Sequence, residues 1–137
     1  MPSLLGLDYG LRRIGIAASD PEQTVAVAVG VHVEGRDGSI LAHLRNLATE
    51  RAAAGIVIGL PLTADGREGD LAVRVRRFAD RVAEAVGLPV HLQDERYSSQ
   101  EAERTIALRG RPARRGEVDA AAAQIILQSY LDRKDRS

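Results

Sequence analysis

Apolar residues along this chain follow two different periods. LLGLDYG (4–10) is a short apolar run closing on an acid and a glycine, the pattern of a buried strand. RIGIAAS (13–19) reads as a second strand, joined to the first by a tight turn at Gly10-Leu11-Arg12. VAVAVGVHV (25–33) is β-branched and mostly apolar, a third strand. Short turns between these three predict an antiparallel meander. The period then becomes helical: Leu41, Leu44, Leu47 and Ala48 predict a helix over 38–53, ended near Gly55. IVIGL (56–60) predicts a buried strand. Val73, Phe78, Val82 and Val86, with intervening alanines, predict a helix stopped by Gly87, and PVHLQDE (89–95) a last strand. Each of these two strands is preceded by a helix, so right-handed crossovers place them parallel to their neighbours. Ser98-Ser99-Gln100-Glu101 matches a capping box and predicts a helix over 99–109; a final helix is predicted over 117–132. The order β-β-β-α-β-α-β-α-α describes an α/β fold, a five-stranded mixed sheet with helices on both faces.

At 137 residues the chain is expected to form one domain, 1–137. It contains no cysteine, which excludes disulfides, zinc–thiolate sites, iron–sulfur clusters and thiol nucleophiles. No apolar run approaches a membrane span, and the start MPSLLGLDYG has no basic segment and an acid at position 8, so the expected compartment is the cytoplasm. Nineteen bases balance nineteen acids, which excludes a general polycation but not a local basic surface. All bases but Lys134 are arginine, a bias that base composition of the genome explains and that also suits bidentate phosphate contact. Tyr9, Phe78, Tyr97 and Tyr130 are the only aromatics, too few for a sheet that binds single strands by base stacking.

Three acids stand in unusual places. Asp8 closes the first strand, Glu95 closes the last, and Asp119 lies in the first turn of the last helix. Ala122, Ala123, Ile126 and Tyr130 follow Asp119 at helical spacing, so its carboxylate shares the face that packs on the sheet. Each acid also has an ordinary explanation. Asp119 suits the helix dipole, Asp8 can bond the backbone of its own turn, and Glu95 can pair with a neighbouring arginine. Taken together they can converge, because strand ends on one edge of an α/β sheet are where sites form. Three carboxylates gathered there would need divalent cations, and hard oxygen donors point to Mg²⁺ or Mn²⁺. His32, His43 and His91 show no ligand spacing and read as structural. Asp94, adjacent to Glu95 on a strand, should face the opposite side.

GLDYGLRRIGIAASD (6–20), IVIGLPLTADGREG (56–69), DERYSS (94–99) and DAAAAQIILQSYL (119–131) together resemble the YqgF family. This is the pre-16S ribosomal RNA nuclease family, also described as Holliday-junction-resolvase-like. Ser98-Ser99 stand where the family usually has threonines, and Arg114 and Arg115 where lysines are common. The resemblance implies an RNase H-like fold, with Asp8, Glu95 and Asp119 as the catalytic and metal-binding acids. It implies a Mg²⁺- or Mn²⁺-dependent nuclease that leaves 5′-phosphate and 3′-hydroxyl ends. The implied partners are precursor rRNA, four-way DNA junctions and ribosomal particles. A resolvase would require a homodimer, an RNA trimmer would not.

With that function the basic residues gain a role. Residues 104–116 hold five arginines and no acid, in a Gly/Pro-punctuated stretch just before Asp119. Arg109, Arg111, Arg114 and Arg115 are expected to clamp a phosphate backbone, with Arg12 and Arg13 on the same rim and Arg96 touching substrate or orienting Glu95. A solvated connection is the plainer reading of such a run. The segment 60–69 either offers N–H groups to a phosphate or forms an Asp-Gly turn; it is not a P-loop, having no lysine. Two other classes remain open: an actin-like or sugar-kinase-like ATP binder, which would need two such domains, and a non-catalytic nucleic-acid-binding module. No G-x-S-x-G occurs, which disfavours a serine hydrolase.

Overall fold

A computed structural model describes residues 3–95 and 117–135. The first three strands, β1 (Ser3–Asp8), β2 (Arg13–Ser19) and β3 (Ala26–Val33), form the antiparallel meander. Helix α1 (Ile40–Glu50) leads to β4 (Ala53–Leu60), α2 (Asp70–Val86) to β5 (Val90–Asp94), and α3 is Glu117–Asp135. The strand order is β3-β2-β1-β4-β5, with β1, β4 and β5 mutually parallel as the crossover argument requires. The C-terminal ends of these three strands therefore share one edge of the sheet.

Alternation along the strands divides the core between the two faces. Leu5, Leu7, Ile14, Ile16, Ile56 and Ile58 point toward α1 and α2, where they meet Leu44, Phe78 and Val82. Leu4, Ala17, Ala26 and Val57 point the other way, onto Ala123, Ile126, Leu127 and Leu131 of α3. Asp8 lies one residue beyond Leu7, so it belongs to the α3 face. Tyr9 stacks at 4.6 Å on Phe78 and fixes the end of β1 to α2.

Several boundaries differ from the sequence expectation for identifiable reasons. The first strand stops at Asp8 rather than 10. The helix expected over 38–53 runs only from Ile40 to Glu50, capped by the Ser39 side chain, which accepts from the Leu41 N–H. It ends before any glycine because Ala52 takes a left-handed conformation (φ 50°), which releases the chain into β4 three residues early. In α2 the buried stripe is Ala72, Val75, Phe78, Ala79 and Val82, while Val73 is 45% exposed. Phe78, Val82 and the partly buried Val86 fall on the expected face, and Val73 does not. The last helix continues to Asp135. The helix expected over 99–109, together with Arg96, Arg109, Arg111, Arg114 and Arg115, lies outside the described residues.

Candidate active site

Asp8 and Glu95 approach each other at the shared C-terminal edge of the sheet. Asp8 ends β1, and Glu95 follows β5 directly, its N–H donating to the Leu60 carbonyl at the end of β4 (3.2 Å). Gln93, two residues earlier, is buried and accepts from Arg133 of α3 (3.2 Å), so this alternation puts Glu95 on the α3 side as well. Asp94 falls on the other side, as expected.

Glycines leave the room between the acids. On β4, a Cβ at Gly59 would lie 2.7 Å from Glu95 Oε2 and 2.6 Å from Ile126 Cδ1. On β2, Gly15 pairs with Asp8 in the antiparallel register, and a methyl there would overlap the Asp119 carbonyl. On β1, a Cβ at Gly6 would sit 2.7 Å from Leu127 Cβ. These bare positions let α3 lie close on the sheet and carry Asp119 to the carboxylate pair. Sequence reasoning saw the alanines of α3 but missed the glycines that receive them. Their signal was a glycine at the same inward-facing parity on three strands.

Asp8 and Glu95 share a hydrogen bond. Burial raises the Asp8 carboxyl to about 6; the bond with Glu95 opposes that rise and the charge of Asp119 adds to it. Burial raises Glu95 further, to about 8, helped by the charge of Asp8, by their hydrogen bond, and by the charge of Asp94. The two carboxyls titrate as a pair, and burial together with their mutual charge favours keeping a proton on it. Asp119 turns to Arg13, whose Nε donates to Oδ2 at 2.9 Å. Their side chains are 42% and 24% exposed, so this ion pair is worth about 0–1 kcal/mol.

Among the described residues, no three His, Asp or Glu side chains are gathered as a ready metal group. The donor chemistry nevertheless fits a divalent cation. Asp8 and Glu95 are half-buried, supply oxygen alone, and are close enough to hydrogen-bond and raise each other's proton affinity. Among the described residues, Arg13 brings a positive charge to Asp119.

Arg12 and Arg13 border one exposed groove. His32 is fully buried, its Nδ1 3.1 Å from His43 Nδ1 and its Nε2 3.0 Å from the Gly38 carbonyl, a structural role. His91 stacks on Tyr130. The 60–69 segment is a closed turn rather than a phosphate cradle. Thr63 N–H donates to the Arg67 carbonyl, Gly66 N–H to the Thr63 carbonyl, and Arg67 N–H to Thr63 Oγ1, with Gly66 at φ 85°.

Comparison with known proteins decides the family. The family model RuvX, described as Holliday junction resolvase, matches residues 2–133. This chain belongs to the RuvX family. It is the YqgF family of the sequence motifs, and it is a family of nucleases. A relative from Anaeromyxobacter dehalogenans strain 2CP-1, named "Putative pre-16S rRNA nuclease", is 46% identical over 132 residues, covering 95% of this chain and 96% of its own. A relative of the same name from Chloroflexus aggregans is 39% identical over 132 residues, covering 95% and 93%. Among solved structures, RuvC of T. thermophilus in complex with Holliday junction substrate superposes with a TM-score of 0.63 at 16% identity, covering 100% of this chain and 98% of that one. That likeness places the RuvX chain in the RNase H-like fold of the resolvases.

Proposed function

We propose that this RuvX-family nuclease is a divalent-metal-dependent phosphodiesterase that processes precursor 16S rRNA in the bacterial cytoplasm. The observation that carries the reading is the hydrogen-bonded pair of half-buried acids Asp8 and Glu95 at the shared strand edge, with Asp119 in electrostatic reach of Asp8. In this reading Asp8, Glu95 and Asp119 hold Mg²⁺ or Mn²⁺. Such an ion, when bound, supplies charge neutralisation at the phosphate and a lowered pKa for the attacking water. The protein's own part is positional. Tyr9 on Phe78 and the β4–β5 ladder hold the two carboxylates at fixed strand ends. The Asp8–Glu95 pair gives up its proton when the site is loaded, and Arg13 balances Asp119 until then. In-line attack of water on phosphorus leaves 5′-phosphate and 3′-hydroxyl ends. Arg109, Arg111, Arg114 and Arg115 supply the phosphate clamp and Arg96 a further contact. The name borne by the relatives from A. dehalogenans and C. aggregans supports the rRNA substrate.

The description of the family model supports a second reading, resolution of four-way DNA junctions, a reaction that would require a homodimer. End-labelled precursor rRNA and a four-way junction, incubated side by side with the protein and Mg²⁺ or Mn²⁺, separate the two. Cutting at the 5′ end of the rRNA precursor with the junction intact is the expected result. Symmetric cutting of the junction alone would replace the first reading by the second. Binding of both without cutting of either would make the chain a non-catalytic module.

A further inference from the structure

Beyond the carboxylates, the same edge of the sheet carries an open groove of about 690 Å³ between the β1–β2 and β3–α1 connections. Its floor is Val31 and Val33, and its walls bring together Arg12, Arg13 and Arg36, with Glu34 the one acid. The three arginines are not equivalent. Arg13 is engaged by Asp119. Arg12 and Arg36 are exposed and make no ion pair with any described residue. The nearby acids have other neighbours: Glu34 Oε1 lies 3.4 Å from His32 Nε2, and Asp37 accepts from the Val33 N–H at 2.9 Å, closing its own turn. The walls are also fixed in place: Glu34 N–H donates to the Arg12 carbonyl at 2.8 Å, tying one connection to the other. Two guanidiniums without an ion pair among the described residues thus line one groove, beside the apolar Val31 and Val33. Phosphodiester oxygens satisfy that arrangement, since the planar guanidinium takes them bidentately.

We propose that the Arg12–Arg36 groove is a second phosphate-backbone site, which holds the flank of a nucleic-acid substrate whose scissile phosphate lies at Asp8 and Glu95. The proposal rests on the nuclease reading for its orientation. Strands about 4.8 Å apart put β3 roughly 10 Å from β1. That is about three steps of a duplex at 3.4 Å per step, so one strand reaches both places. Arg13 lies between them and borders both.

The test is fluorescence anisotropy in EDTA, where nothing is cut, with a fluorescein-labelled RNA stem-loop and a labelled four-way DNA junction as probes. Wild type is compared with Arg12→Ala/Arg36→Ala, with the charge-retaining Arg12→Lys/Arg36→Lys, and with a control pair of equal charge change on α2, Arg74→Ala/Arg77→Ala. The groove pair is expected to weaken binding roughly tenfold and to flatten the log K against log salt slope by about 1–2. The lysine pair should keep the slope, and the control pair should change affinity less than about twofold. An effect on one probe only assigns the groove to RNA or to DNA. Unchanged affinity and slope in a groove-pair protein that melts like wild type overturns the site. So does an equal loss from the control pair, which would reduce the effect to net charge. Failure of the nuclease reading looks different: no cutting in Mg²⁺ or Mn²⁺, with the groove effect on binding intact.

Discussion

Asp8 and Glu95 are each held by burial in a state a free carboxyl leaves near pH 4, and this has a cost that pH reveals. Both groups titrate higher in the folded chain, at about 6 and about 8, than in the unfolded chain. The folded state therefore binds more protons between about pH 4 and pH 8, and stability falls as pH rises through that window. Thermal unfolding in EDTA should show a Tm several degrees lower at pH 9 than at pH 5. Glu95→Gln, which keeps the shape and removes the charge, should flatten that fall while abolishing cleavage. A Glu95→Gln profile parallel to wild type would contradict the shared proton. Binding of Mn²⁺ should likewise release protons and tighten from pH 6 to pH 8.5, measurable by calorimetry in buffers of different ionisation enthalpy. Asp8 and Glu95 were legible as candidates, because each closes an apolar strand and such strand ends share an edge. The hydrogen bond between them was not, since it depends on the room Gly59 leaves beside Glu95. The Arg13–Asp119 bond joins residues 106 positions apart, and nothing local announces it.

At the scale of elements, the site exists because α3 can lie almost on the sheet. Gly6, Gly15 and Gly59 accept it, and the alanines of α3 complete the fit. Gly59→Ala should cost about 1–3 kcal/mol, because its Cβ would crowd Ile126 and Glu95 together. Cleavage should fall further than stability accounts for, since the crowded atom is the Glu95 carboxylate. Urea unfolding beside a cleavage assay on the same preparation checks both. Full activity in a destabilised Gly59→Ala protein would detach Gly59 from the site. Element types were readable from periodicity, but some ends and single positions were not. Ala52 ends α1 in a conformation that sequence assigns to glycine, and in α2 Ala72 and Ala79 are buried while the larger Val73 is exposed.

For the whole molecule, topology does the gathering. Two crossovers make β1, β4 and β5 parallel, so strand ends far apart in sequence meet on one edge, with the meander end of β2 and β3 beside them. This much followed from the order of helices and strands, because crossover handedness leaves few arrangements. What sequence could not supply was the division of labour along that edge: Arg13 engaged by Asp119, and Arg36, unremarked in the sequence, lining one groove with Arg12. If the edge is a metal site, Mn²⁺ should raise the Tm of wild type at pH 8 and leave that of Asp8→Asn unmoved. The most direct measurement is cleavage of end-labelled precursor rRNA by wild type, Asp8→Asn and Asp94→Asn, in Mg²⁺, Mn²⁺ and EDTA. The expected result is metal-dependent cutting that drops at least about 100-fold in Asp8→Asn and persists in Asp94→Asn. Cutting that survives in EDTA, or in Asp8→Asn, would contradict the carboxylate site.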